Sequence, residues 1–185
     1  MRADHTSLTR INHLHEQDIA ASVLRSVCAS ARLRAGPVAR RSGAARPIKS
    51  AMIQHKTAIV DGLSVFYREA GTLGSPKLVL LGGFPASSHQ FRNLISALAE
   101  RFHVLSPDYP GFGNTDMPDP ANFHYTFDRL SEVVEGLLTK TGFTRAGYFM
   151  QDYGGPVGFR ILGRRPEWME WLILQNTNAY EEGFT

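Results

Sequence analysis

From Met52 onward, short apolar runs alternate with longer stretches in which apolar residues recur every three or four positions. Residues 57–60 and 63–67 read as β-strands joined by Asp61-Gly62, a dipeptide suited to a two-residue hairpin turn. After a turn over 71–76, residues 77–81 form a continuous apolar run of the kind found in parallel strands buried on both faces. Phe91, Leu94, Ile95 and Leu98 then fall on one face of a helix. Val104-Leu105-Ser106 predicts the next strand. Phe127, Leu130, Val133, Val134, Leu137 and Leu138 predict a longer helix that stops near Gly142. A strand over 145–150, a helix over 156–164 and a strand over 171–175 complete the pattern. Strands alternating with helices after an opening hairpin predict an α/β architecture, a mostly parallel sheet with helices on both faces.

Residues 1–51 follow no such pattern. Ile19, Val23 and Val27 predict a helix over about 18–34, and Ala35-Gly36-Pro37 and Arg40-Arg41-Ser42-Gly43 read as a linker. This segment carries nine Lys/Arg against three acidic residues, a net charge of +6, while residues 52–185 carry 11 basic and 14 acidic residues, a net of −3. The basic balance therefore belongs to the first segment. That segment lacks the interleaved aromatic residues of a nucleic-acid stacking surface, so no nucleic-acid partner is expected. Three readings stay open for it: a basic, partly helical or disordered extension, an organelle-targeting leader, and a DNA- or membrane-contacting arm. The domain proper is expected over 52–185. No apolar run approaches the roughly 18 residues that span a bilayer, so no membrane partner is expected. A single cysteine, Cys28, excludes an intrachain disulfide and a cysteine metal cage. No cofactor or metal is expected, and a cytoplasmic location fits unless 1–51 direct the chain to an organelle.

Chemistry in such sheets lies beyond the carboxyl ends of the strands. Three loops reach that edge, over 82–88, 108–116 and 151–155. In Met150-Gln151-Asp152-Tyr153-Gly154-Gly155 a strand turns sharply into a helix around an aspartate. Such a turn lifts its central side chain above the sheet beside free backbone N–H groups, as in a nucleophile elbow. Taken alone, Asp152 reads more readily as a helix N-cap than as a nucleophile, and Gly82-Gly83-Phe84-Pro85 as a tight turn rather than a site.

Together Leu81-Gly82-Gly83-Phe84-Pro85, Pro107-Asp108-Tyr109-Pro110-Gly111-Phe112-Gly113-Asn114-Thr115-Asp116 and Gln151-Asp152-Tyr153-Gly154-Gly155 resemble the α/β-hydrolase fold family. The branch is that of haloalkane dehalogenases and epoxide hydrolases, which use an aspartate nucleophile. The resemblance covers about 52–185 and corresponds to the N-terminal half of such an enzyme, truncated before the cap and the C-terminal strands. It implies a small-molecule substrate, Asp152 as nucleophile, and the backbone N–H groups of Phe84 and Tyr153 as an oxyanion hole. An aspartate carboxylate is ordinarily ionised at neutral pH, so it can displace halide or an epoxide oxygen at an sp³ carbon without prior deprotonation. A histidine, oriented by a second acid, would then activate water against the resulting ester.

The chain departs from the family's pattern in several places. Gly82 stands where histidine is usual and helps to hold the oxyanion loop. Tyr153 stands where haloalkane dehalogenases carry tryptophan, and Phe84 where they often carry asparagine. Gly83-Phe84-Pro85 is closer to epoxide hydrolases, whereas Gln151 is nearer to the dehalogenases. All seven histidines precede Asp152. His89 and His124 are placed near the pocket rim without matching the base position. Asn176 and Asn178 occupy the region where some dehalogenases carry the catalytic acid, and Glu181 and Glu182 read as solvated loop carboxylates. The alternative is therefore a catalytically silent fragment, pseudoenzyme or binding protein, with the 171–175 strand expected to present an unpaired edge. Oligomeric state is left open.

Overall fold

The computed structural model describes residues 52–178. The expected helix over about 18–34 and Glu181 and Glu182 lie outside the described residues. Asp61 and Gly62 take φ of 48° and 82°, the paired positive angles that a type I′ turn requires. They join β1 (Gln54–Val60) to β2 (Leu63–Ala70) with Val60 opposite Leu63. Both strands outrun the apolar runs that predict them. Their extra residues are held by cross-strand pairing instead, from Gln54 opposite Glu69 to Lys56 opposite Tyr67. Lys56 adds a diagonal ion pair, its Nζ 2.8 Å from Glu69 Oε2.

The remaining strands are β3 (Lys77–Leu81), β4 (His103–Pro107), β5 (Ala146–Gln151) and β6 (Met169–Gln175). The sheet order is β1-β2-β4-β3-β5-β6. β4, β3, β5 and β6 run parallel, and β2 lies antiparallel between β4 and β1. The helices are α1 (Arg92–Leu98), α2 (Phe127–Thr141) and α3 (Gly154–Arg164).

Alternation along β3 explains its unbroken apolar run. Leu78 and Leu80 pack with Leu94, Ile95 and Leu98 of α1 on one face. Val79 and Leu81 pack on the other with Val133, Val134, Leu137 and Leu138 of α2 and with Val157 and Ile161 of α3. Both faces are thus covered, as a central parallel strand demands. Thr126 opens α2 by accepting the Arg129 N–H at 3.2 Å, and Gly142, at φ 75°, closes it. The single turn Ser88–Phe91 precedes α1, so the amphipathic face beginning at Phe91 starts in a 3₁₀ turn rather than in the α-helix. No helix among the described residues is long and apolar enough to cross a membrane.

At the amino end of the parallel strands, Glu69 ties β1, β2 and β4 together. Its Oε1 lies 2.7 Å from His103 Nε2, and its Oε2 accepts from Lys56. Burial disfavours the charged carboxylate, but the hydrogen bonds from Lys56 and His103 outweigh that and hold Glu69 below the ordinary glutamate range. A lowered folded-state value means that the stabilisation is complete above the unfolded value and is lost as pH falls through the folded one. Glu69→Gln is therefore expected to lower the urea midpoint at neutral pH, with the gap to wild type narrowing as pH drops below about 4. A constant gap across that range would show that the charge contributes nothing.

Candidate active site

β3 and β5 are adjacent and parallel, with Leu81 opposite Met150. This register sets the segment after β3 directly beside the segment after β5. β5 passes into α3 through Asp152 and Tyr153. Asp152 sits at φ 52°, a left-handed conformation that aspartate tolerates better than most residues. Its main chain is fixed on both sides: the Asp152 N–H donates to Asn176 O at 3.2 Å, and its carbonyl accepts from Gly155 N–H at 3.0 Å and from the Thr177 hydroxyl at 2.5 Å. The end of β6 thereby holds the turn.

The Asp152 side chain points across the strand ends rather than down into α3. Its Oδ1 accepts the N–H of Phe84 at 2.9 Å and that of Tyr153 at 2.8 Å. The helix N-cap reading of Asp152 therefore gives way, since α3 begins after Tyr153 with no side-chain cap. Approach this close requires glycine at position 83, where a Cβ would stand 2.6 Å from Asp152 Oδ1 and 2.7 Å from its Cγ. Asp152, Phe84 and Tyr153, singled out in the sequence, are thus in direct contact.

The third loop acts as a brace. The buried Asp108 carboxylate accepts the Ser88 N–H at 2.7 Å through Oδ1 and the Asn114 N–H at 2.9 Å through Oδ2. The buried Arg68 guanidinium lies 4.0 Å from Oδ1 and donates to the Ser88 hydroxyl. The Thr115 hydroxyl donates to Asp108 O and accepts from Phe66 N–H, both at 2.8 Å, which ties the loop to β2. Tyr109 reaches from this loop to the loop after β3, its hydroxyl donating to Gly82 O at 3.0 Å. Burial first, and the Asp152 charge second, push that hydroxyl far above the ordinary phenol range, so it remains a donor. Gly82 lacks the side chain usual in the resembled family, yet its carbonyl is still held.

Around Asp152 the rings of four residues meet. Phe84, 61% exposed, stacks on Tyr153 with centroids 5.5 Å apart. Phe112 stands edge-on to Phe84 at 6.0 Å and Phe127 edge-on to Tyr153 at 4.8 Å. This surface suits the apolar part of a small molecule. No group of His, Cys, Asp and Glu among the described residues is arranged to hold a metal ion.

The described histidines have other positions. His55 packs against Phe66 at 5.7 Å, the His89 ring lies 3.5 Å from Arg68, and His103 pairs with Glu69. His124 is exposed, and its main-chain carbonyl accepts from Thr126 N–H. Among the described residues no histidine hydrogen-bonds to Asp152. Arg68, Asp108 and the hydroxyl of Tyr109 were not singled out by sequence reasoning. The available signal was an acid placed directly after an apolar strand and before two glycines, a position where a solvated loop would not need a buried carboxylate.

Residues 76–184 match the model of the alpha/beta hydrolase fold family, and the chain belongs to that family. It is 46% identical over 129 residues to an uncharacterized hydrolase of Saccharomyces cerevisiae, covering 70% of this chain and 44% of that protein. It is 38% identical over 127 residues to a soluble epoxide hydrolase of a Corynebacterium species, covering 68% and 42%. The crystal structure of a haloalkane dehalogenase from Bradyrhizobium elkani superposes with a TM-score of 0.65 at 28% identity, covering 68% and 42%. The chain thus spans less than half the length of each of these relatives.

Removing the two braces should have unequal cost. Asp108→Ala leaves the Ser88 and Asn114 N–H groups and the buried Arg68 without their acceptor, a loss of about 3 kcal/mol. Tyr109→Phe leaves one carbonyl unpaired, a loss of about 1 kcal/mol. Urea unfolding of the two variants checks this order.

Proposed function

We propose that Asp152 is the nucleophile of a hydrolase that acts on a small epoxide or haloalkane through an alkyl-enzyme ester. The observation that carries this reading is the pair of N–H groups, from Phe84 and Tyr153, converging on one carboxylate oxygen. With Oδ1 so anchored, Oδ2 is the oxygen that attacks. It forms a C–O bond to an sp³ carbon. The carbon–halogen bond breaks and halide leaves with the bonding pair, or the epoxide C–O bond breaks and the ring oxygen gains a proton. The ester's carbonyl oxygen is then Oδ1, already facing the two donors. When water adds to that carbonyl, the oxyanion develops where the N–H groups point, which is how such donors lower the barrier.

Completing the cycle requires a base to activate water. All seven histidines precede Asp152, and those described have other partners or are exposed. A base would therefore come from outside the described residues. With no base among the described residues, the ester is expected to accumulate. The competing reading, a catalytically silent protein, draws on the same observation, and accumulation of adduct separates the two.

Exposure of the chain to a small alkyl bromide and, separately, to a terminal epoxide should add one alkyl or hydroxyalkyl group to the peptide containing Asp152, read by mass spectrometry. Asp152→Asn should abolish the adduct, and urea should suppress it. Absence of adduct, or equal labelling in urea, would overturn the assignment.

A further inference from the structure

Gly82 is buried directly after β3, and its surroundings contain an arrangement that the nucleophile reading does not use. A Cβ at position 82 would collide with the side-chain nitrogen of Gln90 and stand 3.1 Å from Gln90 Cδ and 3.2 Å from Phe91 Cε2. The Gln90 carboxamide therefore occupies the space that a side chain at position 82 would fill. Its Nε2 is buried and finds no hydrogen-bond partner among the described residues. A buried amide without an acceptor costs free energy, so hydrogen bonding does not explain its placement. Filling space does.

The backbone delivers this side chain rigidly. The Gln90 N–H donates to Ser87 O at 3.0 Å, and Ser87 Oγ accepts the His89 N–H at 3.3 Å, which closes the turn Ser88–Phe91. The Ser88 N–H is in turn bound to the buried Asp108 carboxylate. Gly82 is thus gripped by two unrelated contacts. The Tyr109 hydroxyl holds its carbonyl, with the Tyr109 ring in the core beneath α2 and α3. Gln90 fills the space where a Cβ of residue 82 would stand, beside Phe91, which belongs to the core beneath α1. Two residues further on, the Phe84 N–H meets Asp152 Oδ1.

We infer that Gln90 is a positioning residue: its carboxamide fills the notch at Gly82 and so fixes the segment that aims the Phe84 N–H at Asp152. It touches no reacting atom. Its contribution is steric, so a side chain of equal length without an amide replaces it, whereas a shorter one that keeps the amide does not. The inference about catalysis rests on the proposed role of Asp152. The inference about geometry does not.

The test compares Gln90→Met, which keeps length, with Gln90→Asn, which keeps the amide and retracts it by one methylene. Two readouts are taken on the full 185-residue chain, with urea midpoints recorded to confirm folding. The first is hydrogen exchange at the Phe84 amide, which needs no chemistry at Asp152. The second is the rate at which hydroxylamine cleaves an alkyl ester preformed on Asp152. There the hydroxylamine nitrogen adds to the ester carbonyl, the carbon–alkoxy bond breaks, the alkoxide gains a proton to leave as alcohol, and a hydroxamate stays on residue 152. That step develops charge on Oδ1 and so reports the Phe84 donor. Gln90→Asn should expose the Phe84 amide to faster exchange and slow ester cleavage about tenfold, with Gln90→Met close to wild type in both. The opposite order, or no change in Phe84 exchange for Gln90→Asn, overturns the inference. Failure of wild type to form any ester counts against the nucleophile reading alone, and the exchange measurement still decides the role of Gln90.

Discussion

The hydrogen bond from the Phe84 N–H to Asp152 Oδ1 joins two chain segments 68 residues apart, and much of the architecture exists in a form that allows it. β3 and β5 must be parallel neighbours, and Leu81 must stand opposite Met150, or the two loops would miss one another. Position 83 must lack a side chain for the carboxylate to come within reach. The turn after β5 must place Asp152 at a positive φ, which costs on the order of 1–3 kcal/mol for a residue other than glycine. Contacts to Asn176, Gly155 and Thr177 over-determine that conformation and offset the cost.

A second carboxylate, the buried Asp108, does for the loops what Asp152 does for the candidate chemistry. It neither faces the aromatic surface nor meets solvent. It collects N–H groups from two loops and lies beside Arg68, so the carboxyl edge of the sheet is tied laterally as well as through its strands. The two acids illustrate how environment divides labour between identical side chains. Asp108 has both oxygens occupied and is buried, as suits a fixed support. Asp152 has one oxygen held by two donors at the edge of the protein surface.

Much of this was legible in the residues. The hairpin dipeptide, the apolar run of β3 and the face of α2 follow from local chemistry, and each appears where the pattern places it. Phe84, Tyr153 and Asp152 stand out through the ordered motifs and not through any one of them, and the three lie in contact. What escaped notice depends on partners distant in sequence. β1 begins with exposed polar residues that carry no strand signal and are held only by pairing with β2. Arg68 carries no signal of its own and takes its role only when the chain folds it under Ser88 and beside Asp108. Gln90 carries no signal of its own until Gly82 provides a notch of its size. Side chains that fill a space cannot be recognised before the space exists.

The attachment of Asp152 to the end of β6 has a consequence for the order in which the protein is made. The turn at Asp152 is anchored by Asn176 and Thr177, residues synthesised after it and joined to it only when β6 has paired with β5. A nascent chain that has exposed Asp152 but not yet Thr177 lacks the contacts that hold the left-handed backbone, and its carboxylate is free to turn away from Phe84. The constellation around Asp152 is thus a late event in the emergence of the polypeptide, gated by the arrival of a strand that contributes no group to the carboxylate itself.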